Sequence, residues 1–194
     1  MRLIPILLLL LLAPVQVLAV DTPTAYIRSN IDAVLAILTA PELQGEEHND
    51  ERLNRIESMV DTFFDSEELS KRALGQYWRI FDEGQRQEFQ VLFLELIKGV
   101  YLKKSLTYNN EVVSYNQEIL KSETMAEVHT TITSPSLNIP IIYFLIRKDA
   151  SWRVYDVSVE NVSLIKNYRS QFQSILQQKS PEQLIAILKE KTNE

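Results

Sequence analysis

Apolar residues recur at helical spacing through the first hundred residues of this 194-residue chain, alternate with polar ones from Glu111 to Val162, and return to helical spacing afterwards. Ile27, Ile31, Val34, Leu35 and Leu38 form one stripe of a helix over 24–39, which Pro41 stops. A polar, acidic loop runs from Leu43 to Asn49. Asn49 or Asp50 is then placed to cap a helix in which Leu53, Ile56, Val60 and Phe64 keep the period. Ser66 opens a short helix through Leu74, with Gly75 as its natural stop. Asp82 and Gln85 read as a capping box for the longest helix, which extends to about Lys104. Phe89, Leu92, Phe93, Leu96 and Val100 mark one face of it, yet Val91, Leu94, Ile97, Tyr101 and Leu102 spread apolar character round most of the circumference. Such a helix is buried on more than one side. Either it sits centrally in the core, or it packs on a sheet with one side and lines a cavity with another.

The alternating region predicts strands over 111–121, 125–133, 139–147 and 152–162, joined by connections short enough for an antiparallel meander. The third is apolar on both sides: Ile139, Ile141, Tyr143 and Leu145 face one way, Ile142, Phe144 and Ile146 the other, so both faces need cover. In the fourth, Tyr155, Val157 and Val159 are expected opposite the polar side. Ser163 is placed to cap a helix whose broad stripe is Leu164, Ile165, Tyr168, Phe172, Ile175 and Leu176. Ser180-Pro181-Glu182-Gln183 is a further helix start. The order helices, sheet, helices predicts an α+β fold: a twisted antiparallel sheet of about four strands wrapped by N- and C-terminal helices, enclosing an apolar cavity.

The first residues add an address. Met1–Ala19 has a basic start at Arg2, an apolar run from Leu3 to Leu12 too short to span a bilayer comfortably, and the small residue Ala19 at its end. It reads as a signal peptide cleaved after Ala19, leaving residues 20–194 as one domain. Its removal takes Arg2 with it, so the net charge of −6 becomes one unit more negative. An acidic chain without a basic run does not suit nucleic acid, and it meets anionic headgroups with weak repulsion, which fits transient membrane contact. With no cysteine, disulfides, thiolate metal sites and thiol nucleophiles are excluded.

Candidate chemistry is sparse. The chain has two histidines: His48 lies in an acidic loop, and His129 shares a strand face with Glu127. The run Glu46–Glu51 around His48 is able to hold a cation weakly but reads first as a solvated acidic loop, and the Glu127–His129 pair falls short of the three or four ligands of a zinc site. Asp156 and Glu160 lie on one strand face, and paired carboxylates in a cavity are able to do acid–base work. The competing account makes Asp156 a structural hydrogen-bonding group. With four glycines and no phosphate-binding glycine loop, no nucleotide site is expected.

Several motifs in order resemble the MlaC, or toluene-tolerance, family. They are Leu74-Gly75-Gln76-Tyr77-Trp78-Arg79; Gln85-Arg86-Gln87-Glu88-Phe89 with Phe93 and Tyr101; Ile139-Pro140-Ile141-Ile142-Tyr143; and Trp152-Arg153-Val154-Tyr155-Asp156-Val157. The most specific is Val162-Ser163-Leu164 followed by Asn167-Tyr168-Arg169-Ser170-Gln171-Phe172. Asn161 stands where the family commonly has glycine, and asparagine tolerates the left-handed backbone. The resemblance implies a non-enzymatic, monomeric periplasmic carrier with no resident cofactor. Such a carrier shuttles phospholipid between an outer-membrane lipoprotein/porin complex and an inner-membrane ABC transporter, and so maintains outer-membrane asymmetry. On this reading the pocket draws on Leu92, Phe93, Leu96, Val100, Ile142, Phe144, Tyr155, Val157, Val159, Leu164, Tyr168 and Phe172, with some of these serving as core. Tyr101 and Tyr143 are expected at the mouth, and Arg169 either near the phosphate or paired with Asp156. A hopanoid carrier of the same family, a cavity enzyme built on Asp156 and Glu160, and a solid-cored interaction protein are the alternatives.

Overall fold

The computed structural model describes residues 22–192; the segment read as a signal peptide lies outside the described residues. Six α-helices and five strands follow in the expected order. These are α1 (Pro23–Thr39), α2 (Asn49–Phe63), α3 (Ser66–Leu74), α4 (Glu83–Ser105), β1 (Val112–Leu120), β2 (Met125–Ser134), β3 (Leu137–Lys148), β4 (Ser151–Val159), β5 (Val162–Ser163), α5 (Leu164–Leu176) and α6 (Pro181–Thr192). The capping signals act as read. Asp82 accepts the Gln85 N–H at 2.8 Å while Gln85 accepts the Asp82 N–H at 3.0 Å. Ser163 accepts the Lys166 N–H at 3.0 Å, and Ser180 pairs reciprocally with Gln183. Gly75 ends α3 with φ +57°, a backbone that a side chain rarely adopts.

The start of α2 differs from expectation. A 3-10 turn over Glu46–His48 runs straight into the helix, so Asn49 is already helical (φ −57°, ψ −46°) and His48 takes the cap position without a side-chain bond. Asn49 accepts from the Arg52 guanidinium instead.

The strands form one antiparallel sheet in sequence order, β1-β2-β3-β4-β5. The strand expected over 152–162 is broken: Glu160 (φ +50°) and Asn161 (φ +67°) make a tight turn, and Val162–Ser163 fold back to pair with Val159 and Ser158. A second irregularity lies in β4, where Phe144 pairs with Asp156 but Leu145 with Val154. Tyr155 is therefore the extra residue of a bulge, and it leaves the face shared by Val154 and Val157. It turns toward Phe144, ring centroids 6.2 Å apart, under the Arg72 guanidinium.

Two apolar clusters hold the molecule together. Between α1 and one sheet face lie Ile27, Ala126, Val128, Leu145, Trp152 and Val154. The helices α3 to α6 enclose Leu69, Phe81, Phe89, Phe93, Tyr168, Phe172 and Leu184 among others. In this helical cluster, Phe93 stands 5.2 Å from Phe172 and 5.0 Å from Tyr168, both edge to face. Phe64 packs against both clusters. The α2–α3 junction is tied to β4 there: the Asp65 N–H donates to the Val154 carbonyl at 2.8 Å, and Lys148 pairs with Asp65 at 2.8 Å.

Candidate functional site

The two clusters meet imperfectly, and the gap between them is apolar. A cleft of about 460 Å³ runs between the C-terminal part of α2, the later turns of α4, the sheet and the start of α5. Its walls are Val60, Phe63, Phe64, Ile97, Tyr101, Leu102, Tyr143, Val157, Val159, Val162 and Leu164; Lys98, Ser105, Ser163 and Asn167 are the polar exceptions. A second cleft of about 360 Å³ adjoins it between α1 and α2, lined by Ile31, Val34, Leu35, Ile56 and Met59 with Asn30. The two share Val60, Phe63, Phe64, Tyr101, Ser105 and Tyr143. Each falls in the range of small-molecule sites, roughly 300–1,000 Å³, and apolar walls with few polar groups suit a greasy ligand.

Aromatic packing positions the shared wall. Phe63 stacks on Tyr26 at 5.9 Å and meets Tyr143 edge to face at 6.2 Å, while the Tyr26 hydroxyl donates to the carbonyls of Thr62 and Phe63. Phe63 and Phe64 meet edge to face at 5.0 Å at the end of α2, and both reach the gap. Tyr143 sits between Val128 and Val157 in the sheet register. Burial pushes its phenol up to about 12, with the Thr130 hydroxyl nearby opposing the shift. The residue as a whole is half-buried, on the wall that the two clefts share. Tyr101 does stand at an open edge, 41% exposed, beside Val159 and Val162, which are 38% and 64% exposed.

Of the residues expected to form the pocket, Tyr101, Tyr143, Val157, Val159 and Leu164 come together on the main cleft. Leu96, Val100, Tyr168 and Phe172 line a separate hollow of about 170 Å³ between α4, α5 and α6. Phe93 is wholly buried in the helical cluster, and Leu92 packs on its edge. Ile142 and Phe144 lie on the sheet face away from Tyr143, and the bulge sends Tyr155 to that side too. Sequence reading missed Val60, Phe63, Phe64, Ile97 and Leu102 as wall residues. Val60, Phe64, Ile97 and Leu102 were legible as apolar helix positions, but period alone does not separate a core face from a cleft face, and Phe63 falls outside the stripe.

Arg169 is not on the wall of either cleft and does not pair with Asp156: its Nε donates to the Arg72 carbonyl at 2.6 Å, closing the last turn of α3. Asp156, 8% exposed, accepts from the Ser163 hydroxyl at 2.6 Å and from the Ile165 N–H at 3.0 Å. Both bonds fix the start of α5, and Glu160 lies apart in the exposed turn. The Asp156–Glu160 pairing expected on one strand face is absent because the strand ends before Glu160. Glu127 and His129 stand 3.2 Å apart, and among the described residues no group of three or more such side chains is placed to hold a metal ion. No helix among the described residues is long and apolar enough to cross a membrane.

Comparison with known proteins places this geometry. The family model described as MlaC protein matches residues 28–190. The chain is 25% identical over 174 residues to the toluene tolerance protein ttg2D of Pseudomonas putida, covering 88% of this chain and 81% of that one. It is 25% identical over 133 residues to the intermembrane phospholipid transport system binding protein MlaC of Haemophilus influenzae, covering 66% and 62%. The fold is similar to that of the phospholipid-binding protein from Ralstonia solanacearum, solved in complex with a phospholipid. The TM-score is 0.75 at 23% identity, over 87% of this chain and 96% of that one.

Proposed function

Because the chain belongs to the MlaC family, whose model spans 28–190, we propose that it is a periplasmic phospholipid carrier whose acyl-chain site is the pair of adjoining clefts against α2. It is not an enzyme: the family is one of non-enzymatic lipid-binding transport proteins. The observation that carries the reading is the continuous apolar lining of the two clefts, joined at Phe63, Phe64 and Tyr143. The names of the Haemophilus and Ralstonia relatives supply the cargo class and the system.

Magnitudes fix how such a carrier works. Each acyl CH₂ gains about 0.8 kcal/mol on leaving water, so a chain of ordinary length represents on the order of 10 kcal/mol. A lipid does not cross an aqueous compartment unaided. The bilayer shelters its chains equally well, so transfer between bilayer and cleft is close to neutral and direction comes from partners at the two membranes. In this account the partners are an outer-membrane lipoprotein/porin complex and an inner-membrane ABC transporter, and the headgroup remains at the rim near Tyr101 and Asn167. Among the described residues of the cleft wall Lys98 is the one basic side chain, and carboxylates hold it, so selectivity among phospholipid headgroups is expected to be loose. The test is extraction: residues 20–194 are incubated with liposomes of mixed fluorescent phospholipids and re-isolated. Labelled lipid on the protein, in proportions close to those of the liposomes, supports the reading; protein recovered without lipid sinks it.

A further inference from the structure

Helix α2 forms the wall shared by both clefts, yet of its fifteen residues only Ile56 is buried. Its last turn is held by the Tyr26–Phe63 stack, but the rest of its apolar side borders the clefts more than a solid core. What ties it to α4 is an ion cluster around Lys98. The ammonium of this lysine lies 2.6 Å from Asp61 and 3.4 Å from Glu57, both on α2, and 2.9 Å from Glu95 one turn earlier on α4. Lys98 is 6% exposed, while the three carboxylates are 39–53% exposed. The side chain thus touches the main cleft and reaches the outer seam between the helices, an apolar stem with its charge toward the water side. Burial by itself disfavours the ammonium, but the bonds and charges of Asp61 and Glu95 outweigh it and hold the pKa above that of an ordinary lysine.

We infer that the Lys98 cluster is the latch of the lipid site: it holds α2 against α4, and its release lets α2 lift so that both clefts open together for cargo to enter or leave. The inference rests on the carrier reading. Lys98 is a positioning residue here and takes no phosphate, since three carboxylates already occupy its donors.

A latch sets the barrier to exchange and leaves the balance between cleft and bilayer unchanged. The test measures the rates at which the protein takes fluorescent phosphatidylcholine from zwitterionic vesicles and returns it, alongside equilibrium occupancy and Tm. Lys98→Met keeps the stem and removes the charge, and the half-exposed carboxylates rehydrate. Uptake and release are both expected to speed up about three- to tenfold, as loss of one or two partly exposed pairs would give, and unchanged occupancy is read in Asp61→Asn, whose side chain stands off the cleft wall. Lys98→Arg is expected to exchange like the wild type, and Asp61→Asn to fall between. High salt speeds the wild type and not Lys98→Met, because exposed carboxylates are screened. Equal rates in wild type and a folded Lys98→Met overturn the latch, and so does acceleration of Asp61→Asn in one direction only with altered occupancy. Should Lys98→Met not fold, salt-insensitive exchange by the wild type together with an unaltered Asp61→Asn overturns it. A wild type that takes up no lipid removes the carrier reading itself; a working carrier with unchanged variants removes the latch alone.

Discussion

Replacing Asp156 by Asn separates the structural account of this carboxylate from a catalytic one. The carboxylate is 8% exposed and accepts two hydrogen bonds at the start of α5, from the Ser163 hydroxyl and the Ile165 N–H. Bonds to a charged group contribute about 1.5–3 kcal/mol each, and a negative charge at a helix N-terminus about 0.3–1 kcal/mol more. The Asn oxygen still accepts from Ile165, but its amide then faces Ser163, whose oxygen already accepts the Lys166 N–H and whose own proton loses its acceptor. The expected loss is about 1–3 kcal/mol, read as a lower urea midpoint with unchanged slope, or about 2–4 °C of Tm per kcal/mol for a chain of this size. Lipid uptake by the folded fraction at 15 °C is expected to match the wild type. A variant that keeps full stability and loses function would refute the reasoning and return Asp156 to the role of a reacting group.

Three further outcomes follow from the same geometry. Phe172→Ala removes a ring packed against Phe89, Phe93 and Tyr168 and is expected to cost about 3–5 kcal/mol in urea unfolding; a cost near zero would mean the helical cluster is not the main core. Val157→Trp places a large ring in the main cleft and is expected to lower the lipid recovered per protein while Tm holds, as lipid extraction would measure. The raised phenol of Tyr143 makes stability fall as pH rises from about 10 toward about 12, since the unfolded chain gives up that proton near 10 while the folded chain keeps it. Urea midpoints at pH 9 and 11 are expected to converge in Tyr143→Phe relative to wild type.

Where a signal is local, the fold was legible. The capping pairs Asp82–Gln85 and Ser180–Gln183 fix helix starts within a single turn of chain, and the structure has both. Asn161 carries the left-handed backbone that its side chain tolerates. What escaped depends on contacts between distant residues. The Tyr155 bulge arises in pairing with β3, and it reverses the side that simple alternation gives to Tyr155 relative to Val157. Phe93, Tyr168 and Phe172 share a helical period with true cleft residues, and only the tertiary packing of α4 on α5 and α6 assigns them to the core. The Phe63–Phe64 wall depends on the tie between Asp65 and β4, which no sequence spacing announces. Arg169 closes α3 because the chain folds α5 across Gly75, where an added Cβ would stand 3.6 Å from the Arg169 Nε.

The central claim is that the two adjoining clefts against α2 hold phospholipid. Native mass spectrometry of residues 20–194, purified without detergent and paired with lipid extraction, tests it most directly. The account predicts a bound phospholipid in stoichiometric amount, with lipid-bound signal lost in Val157→Trp. A stable protein that is empty as purified and stays empty after incubation with vesicles would contradict it, and a polycyclic lipid in place of phospholipid would reassign the cargo.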